Sequence, residues 1–255
     1  MNRLKNKVAV ITGAAGAIGS AAARKFVEEG ASVFLVDRDD ESLRALAADL
    51  GNKAAALAAD VSDPEQSQAY VKGAVDRFGG IDVFLNNAGI EGATGPRIDV
   101  SPIDVFDKVM SVNVRGAWLG IKYVAPEMIK RGGGSIVISS SVAGLIAYPG
   151  GSAYIASKHA LVGIARCAAL EYARDNIRVN TVNPAPVESR MMRSIEEGLA
   201  PGAAAAAKAH VLGTIPLGRY AEVGDIVNVM LFLSCDESRC CTGACYLADG
   251  GITST

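Results

Sequence analysis

Tyr154 and Lys158 stand four residues apart in the stretch Tyr-Ile-Ala-Ser-Lys. On a helix, positions i and i+4 share a face, so the phenol and the ammonium point the same way. A free tyrosine titrates near ~10, too high for a base at neutral pH, and an adjacent fixed cation favours the phenolate. The pair therefore has the chemistry of a general base that removes a proton from an alcohol. The same spacing also describes a solvated helix edge, so the surrounding chain must supply the context. Part of it lies upstream in the run of three serines, Ser139, Ser140 and Ser141, any of which is a candidate. A hydroxyl placed there can stabilise charge developing on a substrate oxygen.

The amino-terminal end carries a second constellation. The apolar run Val8–Thr12 leads into Thr-Gly-Ala-Ala-Gly-Ala-Ile-Gly, Thr12 to Gly19, and then into a helical pattern. Glycines at a strand–helix junction let the backbone approach a pyrophosphate, and the helix N-terminus supplies N–H groups and a positive dipole end. Asp37 closes the next strand pattern eighteen residues after Gly19. A carboxylate there accepts from ribose hydroxyls and repels a 2′-phosphate, which favours NAD over NADP, although Arg38 beside it suits a phosphate. Asp60-Val61 and Asn86-Asn87-Ala88-Gly89 end two further strand patterns. Ligands of parallel sheets sit beyond the carboxyl ends of the strands, so both belong beside the cofactor.

The elements that must position these residues alternate along the chain. Strands are expected at Val8–Thr12, Ser32–Asp37, Ala54–Ala58, Ile81–Asn86, Ser135–Ser139, Arg178–Asn183 and Ala244–Ala248. Helices are expected at about 17–29, 41–50, 64–78, 102–130, 152–174 and 222–234. This alternation predicts an α/β fold: a Rossmann-type, doubly wound parallel sheet of about seven strands with helices on both faces. No linker or composition break divides residues 1–255, so one domain is expected, without internal repeats. Only about 187–215 leaves the alternation. Its Met191, Met192, alanine run and Pro-Gly break predict short helices on an excursion that serves as a substrate lid.

Composition narrows the function classes. Half of the 255 residues are hydrophobic and the mean hydropathy is +0.25, enough for a large core and too apolar for disorder. The net charge of -2 and the absence of basic runs disfavour a nucleic-acid partner. The first residues read as neither a signal peptide nor a membrane span, so a cytoplasmic location is expected. Four of the five cysteines, Cys235, Cys240, Cys241 and Cys245, fall within eleven residues. Their spacing is not that of paired zinc ligands, and their neighbours read as a helix end and a buried strand. Small buried thiols are expected, with no metal and no disulfide framework. His159 and His210 lack a carboxylate partner in the sequence and are expected to stay out of the chemistry. Trp118 reads as packing or subunit contact.

Taken together, TGAAGAIG, Asp60-Val61, the NNAG at 86–89, Asn113 in Val-Asn-Val-Arg-Gly, the serines at 139–141, YxxxK at 154–158 and Asn-Pro-Ala-Pro-Val at 183–187 resemble the short-chain dehydrogenase/reductase family over essentially the whole chain. The resemblance implies a tetrad: Tyr154 as general acid/base, Lys158 on the nicotinamide ribose and lowering the pKa of Tyr154, Ser141 on the substrate oxygen, and Asn113 holding a proton-relaying water. On the residues alone, Asn113 as a helix brace remains open. The resemblance also implies cofactor contacts at Gly13, Gly16, Ala17, Ile18 and Gly19, at Asp37 and Arg38, at Asp60 and Val61, and at Asn87, Ala88 and Gly89. Pro184, Val187 and Ser189 would meet the nicotinamide end, together with Tyr154 and Lys158. Two positions depart from the family: Ala17 stands where a glycine is usual, and Ala185 follows Pro184 in place of glycine.

The reaction expected is reversible oxidation of a secondary alcohol to a ketone with NAD, needing no metal because Tyr154 and Ser141 polarise the oxygen. Glu91, Ser141, Ala143, Tyr148, Tyr154, Met191 and Met192 are the expected substrate lining, mostly apolar, which suits a cyclic or medium apolar alcohol. Reduction of a 3-oxoacyl thioester and a non-catalytic NAD sensor are the alternatives. The apolar helices 102–130 and 152–174 must be covered, and in the family such helices pair across a two-fold axis, so a homotetramer or homodimer is expected.

Overall fold

The computed structural model describes residues 2–254. Seven short strands build one parallel sheet: β1 (Val8–Thr12), β2 (Ser32–Asp37), β3 (Ala54–Ala58), β4 (Val83–Asn86), β5 (Gly134–Ser139), β6 (Ile177–Pro184) and β7 (Cys245–Ala248). They lie in the order β3-β2-β1-β4-β5-β6-β7. β1 is buried along its whole length because helices cover both faces of the sheet, which is why it reads as the unbroken apolar run VAVIT. Chain order reverses between β1 and β4, whose registered pairs include Ile11 with Leu85. Beyond their carboxyl ends lies the crevice in which such sheets bind ligands.

On one face pack α1 (Ala17–Glu28), α2 (Asp40–Leu50) and α9 (Val223–Ser234), burying Phe26, Leu43 and Met230 in one core cluster. On the other, α3 (Pro64–Phe78), α5 (Gly116–Arg131) and α6 (Ser152–Glu171) bury Tyr70, Val124 and Leu161 against Phe84 and Ile136. Local signals start these helices where the pattern predicts. Asp39 accepts from the Ser42 amide to cap α2, and Asp63 accepts from the Glu65 and Gln66 amides ahead of Pro64 to cap α3. Glu222 and Asp225 form a reciprocal capping box on α9.

The single helix expected over 102–130 is instead broken. α4 (Ile103–Val109) passes into a π-helical turn at Met110–Arg115 before α5 begins. The widened turn turns Asn113 inward, where it is buried, and its amide holds Ile90 at both ends: Oδ1 accepts from the Ile90 amide at 2.8 Å and Nδ2 donates to the Ile90 carbonyl at 2.9 Å. Helix 152–174 likewise ends early, at Glu171, and Asn176 adopts a left-handed conformation to turn the chain into β6. The excursion at 187–215 does contain two short helices, α7 (Arg190–Leu199) and α8 (Ala204–Leu212). They close a small core of their own around Met192, Ile215 and Tyr220.

The cysteines depart from expectation. Cys235 alone is buried; Cys167 and Cys240 are exposed and Cys241 and Cys245 half-buried, all as free thiols. β7 is the sheet's edge and is only partly covered, so the loop feeding it stays at the surface. Trp118 is half-exposed on α5 with the Lys122 ammonium 5.1 Å from its ring centroid, so it is not core packing. His159 is exposed on α6, and its Nδ1 is bonded to the Ile155 carbonyl. His210 is exposed on α8. Among the described residues, no helix is long and apolar enough to cross a membrane.

Candidate active site

The glycine turn after β1 is compressed. A Cβ on Gly19 would lie 2.1 Å from the Gly13 carbonyl oxygen, so the first turn of α1 seats directly on the turn only because no side chain intervenes. α1 begins at Ala17, and no side chain caps it at Gly16, which leaves first-turn amides for an anion. Ala17 sits in the helix with its methyl exposed, so the departure from glycine costs no backbone strain there. Ile18 is half-buried beside it. This cradle fits a dinucleotide pyrophosphate.

Asp37 buttresses the same turn. Its Oδ2 accepts from the Ala15 amide at 3.0 Å, and its Oδ1 accepts from the Arg38 and Asp39 amides at 2.7 and 3.2 Å. Arg38 is exposed, with Nε 4.0 Å from Asp60 Oδ2, and Lys108 reaches the same oxygen at 3.7 Å. Burial pushes the Asp60 carboxyl up, but the Ser62 hydroxyl and amide, Lys108 and Arg38 outweigh it and hold the group below its ordinary value. Val61 is buried just behind. The NNAG segment is sewn to the turn: Thr12 Oγ1 accepts from the Asn87 and Ala88 amides at 3.0 and 3.2 Å, and Asn87 Nδ2 donates to the Thr12 and Gly13 carbonyls. The Asn87 side chain thus serves the backbone of the cradle.

α6 delivers the YxxxK pair. Lys158 is buried, donates from Nζ to the Ser139 carbonyl at 2.8 Å, and lies 5.3 Å from the Tyr154 ring centroid. Gly89 marks the space in front: a Cβ there would be 3.6 Å from Lys158 Nζ and 3.3 Å from Asn113 Oδ1. Ser141 follows β5, its Oγ accepting from the Ala143 amide at 3.1 Å, and its hydroxyl reaches the Tyr154 phenol. The four residues of the expected tetrad therefore share one site.

Three residues to which the sequence assigned no role in the site hold it together. Ser157 accepts from Asn113 Nδ2 at 3.0 Å and donates to the Tyr154 carbonyl at 2.7 Å. Ser140 Oγ donates to the Lys158 carbonyl at 3.1 Å, and Asn183 Nδ2 donates to the Ser141 carbonyl at 2.8 Å. Their legible signals were Ser157 between Tyr154 and Lys158, Ser140 in the serine run and Asn183 at the head of Asn-Pro-Ala-Pro-Val.

The electrostatics differ from expectation. Burial pushes the Tyr154 phenol well above its ordinary value; Tyr148 and Glu91 push the same way, and only the Ser141 hydroxyl opposes them. Burial also lowers Lys158, to about 8. In the chain alone desolvation therefore dominates both groups.

Around the cluster, Glu91 and Tyr148 are half-buried and Ala143 is buried. Met191 is half-buried at the start of α7. Met192 does not join it: packing with Ile215 and Tyr220 takes its side chain into the small core under α7. Pro184 ends β6 in register with Ala248, Val187 bridges to Ala221, and Ser189 caps α7 by accepting from the Met192 amide. The excursion touches the loop after β4, where Gly95 (φ +104°) would place a Cβ 2.6 Å from the Gly198 carbonyl oxygen.

A family model described as enoyl-(acyl carrier protein) reductase matches residues 13–253. A cyclohexanol dehydrogenase of Acinetobacter sp. (strain SE19) is 36% identical over 256 residues, covering 99% of this chain and 97% of that protein. The crystal structure of a levodione reductase superposes with a TM-score of 0.95 at 35% identity, covering 99% of both chains. That of an NAD+-bound xylitol dehydrogenase gives 0.94 at 34% identity, covering 97% of this chain and 99% of the other. Agreement of this extent, in sequence and in fold, reaches far beyond any one motif: the chain belongs to the short-chain dehydrogenase/reductase family and is an oxidoreductase of that type.

Proposed function

We propose that the protein is an NAD-dependent dehydrogenase that reversibly oxidises a secondary alcohol to a ketone. The observation that carries this reading is the shared site of Tyr154, Lys158 and Ser141 at the carboxyl end of the sheet, facing Gly89. Gly13, Gly16, Ala17, Ile18 and Gly19 would cradle the pyrophosphate, and Asp37 would take the adenine ribose and disfavour NADP. Pro184, Val187 and Ser189 would flank the nicotinamide. When bound, the oxidised nicotinamide supplies the hydride acceptor and a positive charge near the phenol. Tyr154 takes the alcohol proton as the carbonyl forms, and Ser141 donates to the same oxygen. Lys158 favours the phenolate once that further charge is present. Both Asn113 Nδ2 protons are spent on Ile90 and Ser157, so Asn113 acts mainly by positioning Tyr154 through Ser157, with the second Oδ1 lone pair left for a water.

A relative named for cyclohexanol supports a cyclic or medium apolar alcohol as substrate. Residues 1–255 form one domain in this reading, with 187–215 as its substrate lid, and the protein works in the cytoplasm. Exposed Trp118 on α5 and Leu170 on α6 support pairing of these helices between copies, in a homodimer or homotetramer. Reduction of a 3-oxoacyl thioester is the weaker reading. Its carrier is acidic, and Lys208 on α8 of the excursion is paired with Glu188 at 2.5 Å.

The test follows NADH absorbance with NAD and a panel of secondary alcohols, in wild type and Tyr154→Phe. We expect turnover that falls about 10²–10⁴-fold in the variant. NAD binding without turnover in either protein would favour a sensor.

A further inference from the structure

The loop after β4 brings a carboxylate to the tyrosine pair. Asn113 fixes Ile90 by both its backbone amide and its carbonyl, which leaves little freedom for the next residue, Glu91. Gly92 is packed against Val109, so the loop is held on the other side as well. From this position the Glu91 carboxylate lies within electrostatic reach of the Tyr154 phenol. It is half-buried, and no hydrogen bond or ion pair engages it among the described residues. Tyr148 approaches from the loop that precedes α6. Its ring packs over Gly151, where a Cβ would lie 2.6 Å from Cε2 and 3.3 Å from the hydroxyl, one residue before α6 and three before Tyr154. The Tyr148 hydroxyl is likewise without a hydrogen-bond partner among the described residues.

Both groups are half-buried and leave their polar atoms open to a ligand, since the described residues supply neither with a partner. Neither is explained by the packing, and neither is needed to move the proton at Tyr154. Both are satisfied by a substrate hydroxyl, which donates to the carboxylate while its oxygen accepts from the phenol.

We propose that Glu91 and Tyr148 form a second polar pole of the substrate pocket, which takes a neutral alcohol carrying a further hydroxyl group and turns anionic substrates away. The proposal rests on the dehydrogenase reading and refines its substrate to hydroxylated ring alcohols and hydroxyketones. Repulsion by Glu91 acts on any carboxylate or phosphate entering beside Tyr154, because like charges held at close range are screened little by salt.

The experiment compares kcat/KM for cyclohexanol, for cyclohexanediols and for a ring alcohol bearing a carboxylate. It uses wild type, Glu91→Ala, Glu91→Gln and Tyr148→Phe, with NAD. The wild type should prefer a diol to the mono-ol by about tenfold or more, the size of one hydrogen bond to a charged group. That preference should fall below about threefold in Glu91→Ala and fall partially in Tyr148→Phe. Glu91→Gln keeps an acceptor without the charge, so it should retain some diol preference and gain turnover of the carboxylate substrate. Calorimetric titration of diol and mono-ol into the NAD-loaded Tyr154→Phe protein should reproduce the preference without turnover, and adding Glu91→Gln should reduce it. Turnover with no diol preference in the wild type, or a preference unmoved by both Glu91 variants, overturns the second pole and leaves the dehydrogenase standing. A wild type that neither binds nor turns over any of these alcohols overturns both.

Discussion

Lys158 donates its ammonium to the carbonyl oxygen of Ser139 at 2.8 Å, bolting α6 to the end of β5. The Ser140 hydroxyl returns a bond to the Lys158 carbonyl at 3.1 Å, so strand and helix grip each other at the point where chemistry is done. This attachment buries a cation, and burial brings Lys158 down to about 8 from an ordinary value of 10.5.

That shift makes a stability prediction. Between about pH 8 and 10.5 the unfolded chain binds a proton at Lys158 that the folded chain has released. Unfolding free energy should therefore rise with pH across that window through this group, and below it the full cost of the buried charge is carried. Urea denaturation of the protein without added cofactor, compared with Lys158→Met, checks this. Wild type should gain stability relative to the variant as pH rises through the window, and parallel pH dependences would refute it.

Glu91 should show in the pH profile. Burial is the main reason the Tyr154 phenol is raised, and Tyr148 and Glu91 add to it. Removing the carboxylate charge in Glu91→Gln should move the basic rise in kcat/KM for alcohol oxidation to lower pH, by about half a unit to one unit. No displacement, or a displacement upwards, would mean that Glu91 does not face the phenol in the working enzyme.

Asp37 has two tasks, and its replacement should reveal both. Asp37→Ala leaves the Ala15, Arg38 and Asp39 amides without their acceptor, so thermal stability should drop by about 1–3 kcal/mol. The KM for NAD should rise about tenfold or more while that for NADP falls relative to it, with Arg38 free to meet a phosphate. Steady-state kinetics with both cofactors decides the matter, and an unchanged NAD:NADP ratio would place the ribose elsewhere.

Gly95 lies where the loop after β4 meets α7. Its φ of +104° and a notional Cβ 2.6 Å from the Gly198 carbonyl oxygen leave no room for a side chain. Gly95→Ala should push α7 away from the loop and raise the alcohol KM by about tenfold, the equivalent of 1–2 kcal/mol of strain. The Kd for NAD should change far less. Equal losses in both would indicate general unfolding and not a displaced excursion.

Much of this protein was legible in its residues. The apolar runs ending in Thr12, Asp37, Asn86 and Ser139 mark buried parallel strands, because a sheet covered on both faces leaves no alternation to obscure them. Asp39, Asp63 and the Glu222–Asp225 pair announce their helices because a capping side chain acts within three residues of itself. The spacing of Tyr154 and Lys158 was meaningful for the same local reason, since i and i+4 share a helix face wherever the helix lies.

Tertiary structure decided what depends on distant partners. The π-helical turn at 110–115 gives Asn113 its inward position, held by Ile90 from the β4 loop and Ser157 from α6, and no periodicity along one helix foretells that. Packing against Ile215 and Tyr220, both well downstream, took Met192 out of the pocket. The electrostatic state of the tyrosine–lysine pair was settled in the same way. Spacing sets how near two groups lie, but the cost of removing them from water depends on every element folded over them, and burial is the largest influence on both Tyr154 and Lys158.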